Sequence, residues 1–316
     1  MEKTRIGIVG VGTVGGAYRD YFLAQGYERG HTLFCYDKDP QKKCADDLSR
    51  AQICLICVPT PSRADGACDT RMVEEAVSMA ACPERGIVIV STVPPGTTER
   101  LQRTYPDSIF CRVPEFLREA SAREDCAHPE RQIIGFTKKG RALAEQLTQI
   151  LPRAPVSSPG LAADGRLFAV NATEAEIIKY ANNLFGALKV SFANLIYDYA
   201  AAIEQKLERE GVEHRIDSDT ILELIGEDKR IGRAWMKVKH CGYRGFGGPC
   251  FPKDFRALVA SMEEAITKTY GSGVPISAHT QTAINTLKTI YHYNETLLAD
   301  QGLTVEEVSA PHFKKQ

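Results

Sequence analysis

The stretch Gly245-Phe246-Gly247-Gly248-Pro249-Cys250-Phe251-Pro252-Lys253-Asp254 concentrates more potential chemistry than any other part of the chain. Its glycines allow the backbone to approach a ligand closely. Pro252 suits the first turn of a helix, which puts Cys250 just before a helix N-terminus. There the positive end of the helix dipole and the nearby Lys253 favour the thiolate, the nucleophilic form. The bland alternative is a buried cysteine beside a glycine turn. Lys179 and Asn183 are four residues apart, so on a helix they share a face. A cation and an amide donor aimed at one point can hold an oxyanion, although such a pair also occurs on an ordinary solvated face. Pro114-Glu115-Phe116-Leu117-Arg118-Glu119 sets two carboxylates around an apolar pair, as a site loop or as a plain charged loop.

A nucleotide signal lies near the N-terminus. Gly10-Val11-Gly12-Thr13-Val14-Gly15 follows a strand-like run and opens a helix-like one. In that setting the first glycine permits the turn and the second lets a pyrophosphate reach the backbone. The third permits close helix–strand packing, with the helix N-terminus facing the phosphates. Asp37 ends the next strand-like run, where a carboxylate accepts from both ribose hydroxyls and repels a 2′-phosphate. NAD is therefore expected rather than NADP, with Lys38 as a neighbour that suits the phosphate. Val58-Pro-Thr60-Pro61 and Ser91-Thr92-Val93-Pro94-Pro95-Gly96-Thr97-Thr98 end two later runs. Their hydroxyls either line a cofactor or cap a helix.

These groups need a scaffold, and the pattern supplies one. Strands are expected at Arg5–Gly10, His31–Tyr36, Ile53–Val58, Gly86–Val93, Ile109–Val113 and Gln132–Phe136, and helices at Thr13–Gln25, Thr70–Ala80, Thr97–Arg103 and Lys139–Ile150. Continuous apolar strands alternating with amphipathic helices predict an α/β fold, a Rossmann-type doubly wound parallel sheet. Pro152–Gly165, rich in Pro, Gly and Ser, is the expected boundary. Beyond it the chain reads as an all-helical domain whose first helix, Thr173–Glu210, is long enough to suggest a spine shared with a second subunit. Ser218–Ile225, Ile231–Lys239, Pro252–Lys268 and Pro275–Leu298 read as further helices. The expected domains are residues 1–160, 161–300 and a frayed polar tail at 301–316.

Composition narrows the partners. With 316 residues the chain has room for two domains, and 39 Lys and Arg against 40 Asp and Glu argue against a nucleic-acid binder. No apolar run reaches the ~18–20 residues that cross a bilayer, and Met1–Arg5 leads straight into a strand without a signal segment, so a cytoplasmic protein is expected. The ten cysteines are scattered, as expected of reduced apolar fillers. Cys54 and Cys57 form a CxxC pair inside an apolar strand, where positions i and i+3 face opposite ways. No metal site is expected.

In this order the motifs resemble the UDP-glucose/GDP-mannose 6-dehydrogenase family. The match comprises GVGTVG at 10–15, CVPTP at 57–61, STVPPGTT at 91–98 and PEFLRE at 114–119. It continues with His128-Pro-Glu-Arg131 before Ile133-Ile134-Gly135, AEIIKYANN at 175–183 and GFGGPCFPKD at 245–254. The resemblance implies an NAD-dependent, four-electron oxidation of a sugar or nucleotide-sugar primary alcohol to the carboxylate, by a homodimer built on the long helix. Cys250 would trap the intermediate aldehyde as a thiohemiacetal, and a second hydride transfer would leave a thioester for water to hydrolyse. Lys179 and Asn183 would hold the oxyanion, Asp254 would act as base with Lys179 and a water, and Glu115 would assist hydrolysis. The resemblance also assigns the cofactor to the 10–15 loop with Asp37, Lys42, Thr60, Thr92, Glu119 and Lys253. The substrate falls to Glu115, Phe116, Leu117, Arg118, Lys179, Asn183 and Gly247, with Arg230 reaching a neighbouring subunit's substrate.

The sequence departs from the family pattern at Val113, where Asn is usual, at Ala120, where Gly is usual, and at Pro249, where Ser is common. The segment between Arg230 and Cys250 is also a few residues longer than usual. Nothing after Leu298 is long enough for the family's third, nucleotide-gripping domain. The nucleotide is then expected to be held by the two domains or a partner, or the substrate to carry no UDP. Two other readings stand beside this one. A two-electron β-hydroxyacid dehydrogenase also uses a Lys-x-x-x-Asn helix but needs no thiol. A non-catalytic NAD-binding scaffold would keep the cofactor fingerprint and lose the thiol site.

Overall fold

A computed structural model describes residues 3–161, 167–213, 215–270, 277–310 and 313. The chain forms two compact units, Met1–Arg63 with Cys68–Lys179, and Ala64–Ala67 with Tyr180–Gln316.

In the first unit, strands β1 (Ile6–Val9), β2 (Leu33–Tyr36), β3 (Ile53–Ile56), β4 (Gly86–Ile89) and β5 (Ile109–Arg112) are parallel. They are separated by α1 (Thr13–Ala24), α2 (Arg71–Ala80) and α3 (Thr97–Thr104), followed by α4 (Ala122–Ala127). Each strand buries both faces, which is why it reads as an unbroken apolar run. Ile6, Ile8, Leu33, Cys35, Leu55 and Val88 pack with Tyr18 and Phe22 of α1 on one side. Phe34, Cys54, Ile56, Ile87, Ile89 and Phe110 pack with Val73, Val77 and Leu101 of α2 and α3 on the other.

The strand order β2-β1-β3-β4-β5 reverses direction between β1 and β3. The crevice at the carboxyl end of that reversal is where open α/β sheets bind ligands. Cys54 belongs to one apolar layer and Cys57 packs against the other, as the period of two requires. All ten cysteines lack disulfides. Burial pushes the Cys54 thiol up to about 12, so it behaves as a hydrocarbon-like filler.

The expected strand Gln132–Phe136 divides in two. Arg131–Ile133 (β6) pairs with Val156–Ser158 (β8) outside the main sheet, whereas Gly135–Phe136 (β7) lies antiparallel on β5. Between them Ile134 is fully buried and its N–H donates to the Ser158 carbonyl. α5 (Arg141–Ile150) follows β7. β8 occupies part of the expected linker Pro152–Gly165, whose residues 162–165 lie outside the described ones.

α6 (Ala172–Arg209) is 38 residues long, about 57 Å at 1.5 Å per residue. The second unit adds α7 (Ser218–Gly226), α8 (Phe251–Tyr270), α9 (Ala278–Ala299) and α10 (Val305–Ser309). Pro275, expected to open α9, lies outside the described residues, and Ser277 caps that helix.

Two expectations fail in this unit. Ile231–Lys239 is not helical: Gly232 and Trp235 both take positive φ (73° and 61°), and Met236 and Val238 are buried alternately with exposed neighbours. That alternation has the period of an extended chain, and it leads into a two-stranded ribbon, Lys239–His240 with Tyr243–Arg244. The tail is not simply frayed either. α10 carries a full capping box between Thr304 and Glu307 and buries Val308 against Tyr243 and Leu298.

Candidate functional site

In the first unit the glycine loop meets the demands of a dinucleotide. Gly10 leaves β1 at φ +89°, a conformation that penalises any Cβ. A Cβ on Gly15 would land on the Gly10 carbonyl, whereas one on Gly12 would meet nothing within 4 Å. The loop is therefore tight where it packs and open where a phosphate must approach. Thr13 begins α1, Gly12 offers it no side-chain cap, and no acidic residue occupies its first turn. The leading N–H groups of α1, including those of Thr13 and Val14, are thus available to an anion.

Asp37 ends β2 beside this loop. Its Oδ2 accepts from the Val11 N–H at 2.6 Å and from Lys42 Nζ at 3.0 Å, and its Oδ1 accepts from the Asp39 N–H at 2.9 Å. Partial burial raises this carboxyl, but the two backbone donors and the Lys42 ammonium together hold it below its ordinary value. With three donors accepted, a carboxylate still has acceptor capacity for a ribose hydroxyl. Lys42, expected on the cofactor, bonds Asp37, and Lys38 is engaged with Glu75 at 2.5 Å.

A cleft of about 360 Å³ runs from Gly10 and Gly12 past Asp37 to Pro59, Met72 and Met79. Val58, Pro59, Met72, Ala76 and Met79 make part of its lining apolar. A second cleft of about 660 Å³ extends along α1 from Thr13 and Gly16 to Glu119 and Arg123. Among the other expected cofactor residues, Thr60 is buried and Thr92 half-buried at the ends of their strand runs. Thr97 and Thr98 are structural. Thr97 donates to the Pro94 carbonyl, and Thr98 donates through both its N–H and its hydroxyl to Glu176.

The loop after β5 carries the remaining polar groups of this unit. Lys179 Nζ donates to the Glu115 carbonyl at 2.7 Å and lies 3.2 Å from Glu115 Oε1, with the Lys179 side chain buried and that of Glu115 largely so. Glu115 Oε2 accepts from the Leu117 N–H. The Phe116 ring has Arg131 over it at 4.0 Å and Lys179 at 5.4 Å, a cation–π arrangement that fixes the ring. Arg118 is largely exposed and forks onto Asp125, whose carboxyl it draws down to about 2. Val113 fills the apolar layer beside α1.

In the second unit, α8 begins at Phe251, and the Cys250 carbonyl accepts the Asp254 N–H at 2.8 Å. Cys250 is thus the residue that caps α8, half-buried, as expected from Pro252. Asp254 is 1% exposed. Its Oδ2 accepts from Asn183 Nδ2 at 2.6 Å and its Oδ1 meets Lys253 Nζ at 2.5 Å. Lys253, expected on the cofactor, thus also bonds Asp254. Gly247 packs against Tyr243 and Val308 with no room for a side chain. Arg230 is exposed on a turn and pairs with Asp228. Lys189 Nζ holds that turn through the Ile231 and Gly232 carbonyls, each at 2.9 Å.

The fold agrees with what the chain resembles. Residues 41–151 match the NAD binding domain of the UDP-glucose/GDP-mannose dehydrogenase family, and residues 173–272 match its central domain. The chain belongs to this family. NAD is the cofactor of the matched domain, and the glycine loop and Asp37, upstream of the matched span, fit it by their geometry.

Among curated proteins, UDP-glucose 6-dehydrogenase of Rhizobium meliloti is 31% identical over 84% of this chain and 64% of its own length. That of Pseudomonas aeruginosa is 33% identical over 70% of this chain and 46% of its own. The solved UDP-glucose dehydrogenase of Pyrobaculum islandicum superposes with a TM-score of 0.67 at 27% identity, covering 95% of this chain and 71% of that one. The chain spans about half to two thirds of the length of these curated relatives.

Three residues that pattern reading missed stand out. Glu176, wholly buried, accepts from the Gly96 N–H at 2.6 Å and from Thr98 at 2.8 and 2.6 Å, tying α6 to the start of α3. Burial raises its carboxyl, and the Thr98 hydrogen bonds, the Arg112 charge and the Gly96 hydrogen bond only partly reverse that. A carboxylate flanked by Ala175 and Ile177 on an otherwise apolar helix turn was the signal available. Arg131 and Asn294 carried no such signal, because their partners are distant in sequence.

Proposed function

We propose that this chain carries out the NAD-dependent, four-electron oxidation of a nucleotide-sugar primary alcohol to its carboxylate. The observation that carries the reading is Cys250 at the head of α8, one turn before a buried Asp254 clamped by Asn183 and Lys253. When bound, NAD accepts one hydride at each of two oxidation steps.

The chain's own groups do the rest. Loss of the alcohol proton to Asp254 through a water, together with the first of the two hydrides, leaves an aldehyde. The Cys250 thiolate adds to the aldehyde carbon, and the oxygen takes up a proton to give the thiohemiacetal. Loss of that proton and a second hydride leaves a thioester. Water attacks it, the C–S bond breaks, and carboxylate and Cys250 thiol are released. Asn183 and Lys179, four residues apart on α6, supply the donors for the oxyanion of the tetrahedral stages. Glu115, held by Lys179 and the Leu117 N–H, is the carboxylate that steers the hydrolytic water. Phe116, Leu117, Arg118 and Gly247 contribute to the substrate surface, and Arg230 serves a neighbouring subunit.

The homodimer rests on α6. Its buried side carries small residues, Ala187, Ala193 and Ala200, while Phe185, Phe192, Leu195 and Tyr199 are 42–66% exposed on the other side. Large apolar groups turned outward on a long helix mark a surface that another chain covers. The Phe192→Glu variant should run as a monomer in light scattering, and an unchanged mass for variant and wild type would remove α6 as the interface.

The test of the chemistry counts NADH formed per substrate in a screen with UDP-glucose, GDP-mannose, related nucleotide sugars and simple sugars. Two per substrate, abolished in Cys250→Ala, supports the four-electron route. One per substrate, untouched by that substitution, would replace it with the two-electron reading. NAD binding without turnover of any substrate would favour a scaffold.

A further inference from the structure

The loop that delivers Cys250 has little stiffness of its own. Residues 245–249 are Gly-Phe-Gly-Gly-Pro, with Gly245 at φ +98° and Gly248 at +75°. Something else must hold it, and Arg244 just before it and Phe246 and Gly248 within it are gripped. Gln301 Oε1 accepts from the Arg244 N–H at 2.9 Å, and its Nε2 donates to the Arg244 carbonyl at 3.0 Å. Asn294 Oδ1 accepts from the Phe246 N–H at 2.6 Å, and its Nδ2 donates to the Phe246 carbonyl at 3.0 Å. The Val308 carbonyl of α10 then accepts from the Gly248 N–H at 2.8 Å.

Two carboxamides thus mimic the neighbouring strand that an extended segment otherwise needs. Asn294 is the central member. It is wholly buried, and its partner residue Phe246 stacks on Phe255 at 5.8 Å within the core of this unit. Phe255 sits on α8, the helix that Cys250 caps. The backbone at Phe246 is therefore fixed against α8 by its ring and against α9 by Asn294, four residues ahead of the thiol. Gly245 makes the approach possible, because a Cβ there would lie 2.7 Å from Asn294 Oδ1.

We infer that Asn294 is a positioning residue for Cys250, holding the glycine loop in the register from which the thiol enters α8; this rests on the proposed role of Cys250. No chemistry is assigned to Asn294 itself. Displacement of a reacting group by about 1 Å can cost up to 10²-fold in rate, and a loop of this composition moves that far once released.

The test uses the full chain with Asn294→Ala and Gly245→Ala, which attack one contact from its two ends. The readouts are site-resolved iodoacetamide alkylation of Cys250 at pH 7, NAD affinity, melting temperature, and kcat with the nucleotide sugar that wild type turns over. The alkylation rate should change about fivefold or more and kcat should fall about tenfold or more, with NAD affinity unchanged. The double variant should be no worse than the more severe single one. A lowered melting temperature with wild-type alkylation and kcat would make Asn294 a structural residue only and overturn the proposal. Should Asn294→Ala fail to fold, Gln301→Ala, which is partly exposed, decides by the same readouts. Cys250→Ser separates the two levels. Retained two-NADH turnover there removes the role of Cys250 and the positioning role with it. Lost turnover there, beside an unaffected Asn294→Ala, removes the positioning role alone.

Discussion

Glu176→Ala should destabilise the first unit by about 2–4 kcal/mol, and the figure follows from what the carboxylate holds. Thr98 is wholly buried, so its N–H has no water to turn to when Glu176 is gone. An orphaned buried donor costs about 1–3 kcal/mol. The Thr98 hydroxyl loses a second bond but can rotate, and the half-buried Gly96 N–H can recruit water at small net loss. Release of a desolvated charge offsets part of the total. Glu176→Gln keeps one oxygen for Thr98 and turns an amide toward the Gly96 N–H, so it should cost about 1–2 kcal/mol.

The assay is amide hydrogen exchange over residues 94–104 together with urea unfolding followed by circular dichroism. The carboxyl titrates above its ordinary value of 4.5 in the folded chain. Its contribution is therefore complete below that value and declines as pH rises through the folded pKa. The gap between wild type and Glu176→Ala should accordingly narrow with rising pH. Wild-type protection of residues 96–98 in Glu176→Ala, with stability within about 0.5 kcal/mol, would refute the capping role.

Gly15→Ala should weaken NAD binding by about tenfold or more, because the new Cβ displaces the Gly10 carbonyl and with it the phosphate turn; isothermal titration reads this directly. Lys179→Met should lower stability by about 1–3 kcal/mol, because the largely buried Glu115 carboxylate loses its ammonium partner and keeps only the Leu117 N–H. The double variant Glu115→Gln/Lys179→Met should recover part of that loss in urea unfolding, and full additivity would show that the two groups do not interact. Arg118→Ala should let the Asp125 carboxyl rise from about 2 toward its ordinary 3.8, as read by NMR titration. In wild type this pair stabilises the fold above pH 3.8, and the contribution disappears as pH falls through about 2. An unchanged Asp125 titration would show that Arg118 is not its controlling partner.

Local chemistry wrote much of this protein into its sequence. Apolar runs of strand length alternating with amphipathic stretches dictate a parallel sheet covered on both faces, and the spacing Gly10, Gly12, Gly15 with Asp37 dictates what its switch point can bind. Pro252 two residues after Cys250 dictates that the thiol caps a helix. These features were legible because each depends on residues within one or two turns or strands of one another. Reading failed where backbone conformation overrode pattern, as at Ile231–Lys239, where positive φ at Gly232 and Trp235 breaks a plausible helix, and at Ile134, which splits one expected strand between two partners.

What only the tertiary structure decided is which side chain answers which. Lys42 bonds Asp37, and Lys253 bonds Asp254. Thr98 answers Glu176, 78 residues away, and Phe246 answers Asn294, 48 residues away. A hydrogen bond needs two groups within about 3 Å, and nothing in a one-dimensional pattern reports that distance for groups so far apart along the chain. Periodicity reveals which face of an element is buried. Only packing determines which donors that face brings to which acceptors, because the same buried amide is satisfied equally well by any partner the fold happens to bring within reach.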